Sequence, residues 1–417
     1  MQKLLHILKA KDFFAYALLA VGFVGRLFYI FIFTTPEKYL WSDPGGYDLR
    51  ALQMAKDQYV MFSTYFPPFF HMVLSLLYRP LAWLNLVDWR IKIDIVIFAL
   101  FYIFSFWCIY QIVKKLFSRN IALIVLIALI AWYPFIYLNY LVMSENLFFL
   151  LFFFGLYLIV TKPLKPFMGL FIGLLWGSAF LTRPIFAFAL PLFFIWCLCY
   201  KTNWKFLAIF TITVCLIVGS MMLFNFFYTH GEEKSISSNS GVGFAMLMCD
   251  AKSLQLDKDG YYFWFGPPSN IDYPDSKKLF TNVPFTNQPY YFQMGLNCLS
   301  KNPRPFYENF ASMAKLFDSK LFPSLDNVAH FELFRQIFKT LVECLTFFSI
   351  LTVIAIIFDW LPVRKETEKF LILFILVILS LLPVVFLFNF GEERYIIPYT
   401  PLLIILSIPL LWKQFLS

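Results

Sequence analysis

Three kinds of short segment carry side chains that move protons or hold phosphate. In Trp41-Ser42-Asp43-Pro44-Gly45-Gly46-Tyr47 one carboxylate stands between two aromatic residues, ahead of two glycines that would let a substrate approach the backbone. Asp43 in that setting suits acid–base chemistry, but an aspartate directly before proline equally suits a helix N-cap with proline at the first helical position. Asp48, one turn on, is a second acid whose competing reading is a solvated helix face. In Asn139-Tyr140-Leu141-Val142-Met143-Ser144-Glu145-Asn146 a carboxylate opens an apolar run, a costly place unless it is paired, hydrogen-bonded or at work. The bland alternative for Glu145 is stabilisation by the helix dipole. The third kind of segment brings cations: Thr182-Arg183-Pro184, where Arg183 either snorkels or grips phosphate, and Gly391-Glu392-Glu393-Arg394-Tyr395, where Glu393 and Arg394 could also neutralise each other. Arg26, in the middle of an apolar run, reads as structural and neutralised by an acid of another helix.

The elements that must position these residues are membrane helices. Of 417 residues, 60% are hydrophobic and 14% charged, against about a quarter charged in a soluble domain. Apolar runs at Phe13–Phe33, 93–113, 121–137, 147–160, 167–181, 185–199, 206–227, 340–358, 370–388 and 396–412 predict about ten spans. Every second connection is basic: Lys9 and Lys11; Lys114, Lys115 and Arg119; Lys162 and Lys165; Lys201 and Lys205; Arg364, Lys365 and Lys369; and Lys413. The positive-inside rule makes these connections cytoplasmic and gathers Asp43, Glu145, Arg183 and Arg394 on the outer face. The net charge of +9 therefore marks contact with anionic lipid, and no nucleic-acid module is present. Phe13–Phe33 is too long for the core of a cleaved signal peptide and reads as a signal anchor.

Between the spans lie two longer polar regions. The outer loop 34–92 contains a helix from Asp48 to Gln58 with Tyr47, Ala51, Met54 and Ala55 on one face, then an apolar stretch from Phe66 to Trp83. Counting that stretch as a span would break the charge alternation, so both are read as interfacial helices. Residues 229–336 form an outer cap rich in turn formers, with helical spacing at 290–299 and 306–317. The chain thus divides into a membrane region 1–228, the cap 229–336 and C-terminal spans 337–417. Cys249 and Cys298 share the cap, where an oxidising compartment would allow, but does not require, their pairing. No HExxH or CxxC spacing points to a metal.

In order and in placement these motifs resemble those of the C-type (GT-C) membrane glycosyltransferases, within them the family of protein O-mannosyltransferases and lipid A aminoarabinose transferases. The carriers of the resemblance are Asp43-x-x-x-Tyr47-x-x-x-Ala51, Phe66-Pro67-Pro68-x-x-His71, Ser144-Glu145-Asn146, Thr182-Arg183-Pro184, Lys301-Asn302-Pro303 and Glu393-Arg394-Tyr395-x-x-Pro398. Asp43 is followed by Pro44 where the protein mannosyltransferases carry Asp-Glu, and the cap holds no sugar-binding module, which leaves the acceptor open. The resemblance implies an all-α polytopic enzyme that moves a sugar from a polyprenyl-phosphate donor to a lipid, glycan or protein acceptor. It implies Asp43 as the acid–base residue and Arg183, Lys315 and Arg394 on the donor phosphate. Tyr47, Asp48, His71, Glu145, Glu393 and Tyr395 would support them, with no cofactor and no dedicated metal. The expected partners are the lipid-linked donor and membrane lipid, and the expected location is a bacterial inner membrane with the active face on the periplasmic side. The competing class is a flippase for polyprenyl-linked sugars, which would show broken helices and midplane charges.

Overall fold

The computed structural model describes residues 12–40, 42–58, 66–228, 230–231, 234–237, 239–249, 254–256, 262–264, 287–303, 331–358, 360, 363–383 and 396–411. The chain enters on α1 (Phe13–Phe33), then lays down α2 (Ser42–Ala55) and α3 (Pro68–Trp83), which pack on each other. Seven helices follow: α4 (Arg90–Leu116), α5 (Arg119–Ala131), α6 (Tyr133–Asn139), α7 (Ser144–Thr161), α8 (Pro166–Thr182), α9 (Ala189–Cys199) and α10 (Trp204–Tyr228). The cap contributes α11 (Asn239–Met248), a short antiparallel pair β1 (Leu254–Leu256) and β2 (Tyr262–Trp264), and α12 (Gln288–Lys301). The chain returns through α13 (Phe331–Ile357), α14 (Lys365–Leu379) and α15 (Thr400–Leu411). Apart from the one hairpin, the described fold is helical.

Ten spans are not confirmed. Among the described residues five helices are long and apolar enough to cross a membrane, at Phe13–Phe33, Val87–Leu116, Ser144–Thr161, Trp204–Phe227 and Thr340–Ile357. A sixth exists if α5 and α6, bent by 51°, count as one. The bend falls at Trp132, whose extended backbone (ψ 102°) stops α5 one residue ahead of Tyr133-Pro134. The stretches Pro166–Thr182, Pro184–Cys199 and Ile397–Leu411 are apolar but shorter. Pro184 explains one of these limits, because it separates α8 from a 3-10 turn at Pro184–Phe188. The part of the run 370–388 beyond residue 383 lies outside the described residues.

Close packing fixes the bundle where the sequence supplies small residues. Gly169, Gly173 and Gly177 recur every fourth residue on α8 and face α10. A Cβ at Gly169 would meet the Phe206 carbonyl oxygen at 2.5 Å, and one at Gly173 would meet Thr213 Cβ at 2.8 Å. Such stripes let apolar helices approach until dispersion and packing, rather than water exclusion, hold them together.

The helix ends sort into two sets. At one end Asp12 binds Lys114 and accepts from Tyr110 (2.7 Å), Lys115 Nζ donates to the Val160 carbonyl (2.6 Å), and Trp196 Nε1 donates to that of Lys369 (2.8 Å). The opposite end carries α2, α3 and the start of α7. The cap is fastened there through Asn225 at the end of α10, whose Nδ2 donates to Ser235 and Ile236 carbonyls (both 2.9 Å). Within the cap α11 and α12 are joined by a Cys249–Cys298 disulfide, with Cα atoms 5.1 Å apart.

Candidate active site

The polar centre is assembled from four elements at the capped end of the bundle. α2 starts at Ser42, so Asp43 lies in its first turn and not at an N-cap, where its carboxylate still favours the positive helix terminus. The two glycines after it do not open the backbone to a substrate. A Cβ at Gly45 would meet the Leu40 carbonyl oxygen at 2.6 Å, and one at Gly46 would meet Phe66 and Arg50 at 2.9 Å, so both serve the packing of the turn.

One turn on, Tyr47 points inward. Its ring is buried with centroids 4.6 Å from Phe66 and 5.0 Å from Phe70, and 6.4 Å from His71. Phe66, Phe70 and His71 come from the proline-rich segment and the start of α3. The Tyr47 hydroxyl shares a hydrogen bond with Ser144, whose own hydroxyl donates to Glu145 Oε2 (3.3 Å). Burial, reinforced by the nearby Asp43 carboxylate, pushes the Tyr47 phenol well up from its usual range. It is a hydrogen-bonding group here and no base.

Glu145 and Arg183 form a buried ion pair, 2% and 6% exposed at the side chain. Arg183 therefore does not snorkel, and Glu145 is more than a helix-dipole passenger. Pro184 ends α8 and keeps the preceding Arg183 extended (φ −140°, ψ 99°), which turns the guanidinium back under the start of α7. Tyr47, Tyr102 on α4 and Tyr399 all lie within electrostatic reach of Arg183. Tyr399 belongs to the 3-10 turn Ile397–Tyr399, so the C-terminal motif does approach the site. Its members Glu393, Arg394 and Tyr395 lie outside the described residues, as does Lys315.

His71 is 1% exposed and its Nδ1 has no hydrogen-bond partner among the described residues. Burial, with the Arg50 guanidinium nearby, lowers its pKa to about 3. The imidazole is therefore neutral at any physiological pH.

Asp48 does not lie on a solvated helix face. It is 5% exposed, not solvated, and accepts two hydrogen bonds from Arg90, from Nε (2.8 Å) and Nη2 (2.9 Å). Tyr78 bridges it to Asp94: the phenol oxygen is 3.1 Å from Asp48 Oδ1 and also bonds Asp94 Oδ2. Tyr78 has one proton and faces two carboxylates. Both bridges are satisfied when Asp94 brings a proton and donates it to the phenol oxygen, leaving the Tyr78 proton for Asp48. The network pins α2 to α3 and α4, so Asp48 positions Asp43 through the helix. The sequence pattern offered Tyr78 only as an interfacial anchor, with Arg79 and Trp83, and did not single out Asp94, because neither sits in a motif.

Arg26 also departs from expectation. No acid pairs with it among the described residues; it donates to the Phe135 carbonyl on α6 and stands over the rings of Tyr102 (5.0 Å) and Phe106 (5.4 Å). Among the described residues no three His, Cys, Asp or Glu side chains gather to hold a metal ion.

No family model and no curated protein sequence matches this chain. Among solved structures it is similar to the archaeal oligosaccharyltransferase AglB from Archaeoglobus fulgidus in complex with an inhibitory peptide and a dolichol-phosphate. That match has a TM-score of 0.50 and 12% identity and covers 97% of this chain and 51% of that one. A second match, to the Archaeoglobus fulgidus oligosaccharyltransferase in complex with Zn and sulfate, has a TM-score of 0.42 at 12% identity, covers 95% of this chain and 49% of that one, and carries no weight alone. The chain spans about half the length of these structures. What the first match shows is the fold alone: the helical bundle is arranged like part of that oligosaccharyltransferase.

Proposed function

We propose that this chain is a membrane glycosyltransferase that moves a sugar from a polyprenyl-phosphate donor to a lipid, glycan or protein hydroxyl at the outer face of a bacterial inner membrane. The observation that carries the proposal is the convergence of Asp43, Tyr47 and the buried Glu145–Arg183 pair at the end of the bundle to which the start of the disulfide-bonded cap is fastened. A disulfide persists in an oxidising compartment, which favours an outer location for that end. The fold neighbour, an oligosaccharyltransferase bound to dolichol-phosphate, handles a lipid phosphate of the same chemical class.

In this reading the acceptor O–H gives its proton to the Asp43 carboxylate as its oxygen bonds the anomeric carbon. The bond between that carbon and the phosphate oxygen breaks, and its electron pair leaves with the polyprenyl phosphate. The phosphate thereby gains one negative charge, which Arg183 offsets most strongly in the transition state. Arg394 and Lys315 are proposed to share that task. The neutral His71 offers a hydrogen bond to a sugar hydroxyl without adding charge. Lipid-linked sugars and envelope glycans compared with and without the gene test the proposal: the donor should accumulate and one glycan should lose a sugar, and unchanged profiles of both would refute it.

A further inference from the structure

Arg26 sits seven residues before the end of α1, about 10 Å inside it along the axis. Its side chain is 3% exposed, and its Nε and Nη2 have no hydrogen-bond partner among the described residues. A cation with unmet donors is expensive in a membrane helix and marks function more often than packing. Two rings and one carbonyl hold the guanidinium in place, and among the described residues no carboxylate pairs with it.

Tyr102 connects this cation to the polar centre. Its buried hydroxyl, also unpartnered, lies within electrostatic reach of Arg26 on one side and of Glu145 and Arg183 on the other. Tyr399 brings a second buried, unpartnered hydroxyl to Arg183. Glu145 pairs with Arg183, whereas among the described residues no carboxylate pairs with Arg26. Arg26 and the two phenols each bring an unmet donor to this cluster. The complementary ligand is an anion with several acceptor oxygens, and a phosphate fits that description.

We infer that Arg26, with Tyr102, forms the inner wall of a phosphate-binding site, and that it holds the phosphate of the lipid-linked substrate from the side opposite Arg183. The inference rests on the proposed function and adds a binding residue to it. It also gives the bent α5–α6 pair a purpose: the Phe135 carbonyl just past the bend fixes one arm of the fork so that the others face the ligand.

The competing role is a clasp, in which Arg26 only fastens the bend. Purified wild type, Arg26→Gln and Arg26→Lys in detergent should be compared for binding of polyprenyl phosphate, of the matching polyprenol, and of inorganic phosphate as competitor. Wild type should prefer the phosphate over the alcohol. Arg26→Gln should lose about tenfold or more of its affinity for polyprenyl phosphate, as when one charge-assisted hydrogen bond is lost, with polyprenol binding unchanged. Arg26→Lys should retain part of the preference. Competition by inorganic phosphate that disappears in Arg26→Gln would support a site that reads phosphate apart from its lipid; competition that persists would overturn it. A folded Arg26→Gln that keeps the full preference also overturns the inference while sparing the proposed function. Wild type without any preference refutes the proposed function first. If Arg26→Gln does not fold, Tyr102→Phe removes one hydroxyl only, and an unchanged preference there is equally fatal.

Discussion

Asp43→Asn is the sharpest test at the residue scale. Asparagine keeps the size and the favourable polarity in the first turn of α2, so the protein should insert and melt normally while sugar transfer falls about 10²–10⁴-fold. Turnover of a polyprenyl-phosphate sugar by the purified variant measures it, and near-normal rates would remove Asp43 from the mechanism. Arg183 needs a different design because it is buried against Glu145. Arg183→Ala strands a carboxylate in the interior and should cost roughly 3–5 kcal/mol of stability, so lost activity alone would be ambiguous. The double variant Arg183→Gln with Glu145→Gln removes both charges and should recover most of the thermal stability but none of the turnover. Recovered turnover would show the pair to be a structural strut. His71 makes a prediction in pH. Its folded pKa of about 3 lies below the usual value near 6.5, so the unfolded chain binds the extra proton between them. Stability contributed by neutral His71 is complete above about 6.5 and drains as pH falls toward 3. His71→Gln should flatten that acid limb in melting experiments, and an unaltered slope would mean that the ring is solvated.

At the scale of elements, α2 works only if it is held. Asp48→Asn should break the forked contact with Arg90, lower stability by roughly 3 kcal/mol and reduce turnover without changing donor affinity, because Asp48 acts through the helix that carries Asp43. Asp94→Asn should be much milder, since an amide can donate to Tyr78 as the protonated acid does. Equal damage from both would refute the proposed proton arrangement. Here the limits of the sequence are plain. Hydropathy found α1 to the residue, and a helix where α12 forms, because long apolar or amphipathic runs determine their own boundaries. It gave no sign of the break inside the run 121–137, where α5 stops at Trp132 ahead of Pro134, since hydropathy registers oiliness and not continuity. Asp43, Tyr47, Glu145 and Arg183 were legible as residues with unusual types at span boundaries. That Glu145 and Arg183 face each other was not, because their meeting depends on how α7 lies against the end of α8.

For the whole molecule, the separation of the two ends organises everything else. Basic residues brace one end through Asp12, Lys115 and Lys369, while the acid, the tyrosines and the buried arginine meet at the other. Reporter fusions after Lys115 and Lys165 should give cytoplasmic signals, and those within 139–144 or 237–243 external ones; a cytoplasmic result at 237–243 would invert the proposed orientation.

The bond between Cys249 and Cys298 offers a second route to the same answer. It ties two positions 49 residues apart, so a protease that cuts the backbone between them leaves the pieces attached. On a gel without reductant the chain would still migrate as one species, and with reductant it would fall into two. Cells whose outer envelope has been opened, exposed briefly to trypsin, could thus report which side of the membrane the cap occupies with the natural, unfused polypeptide.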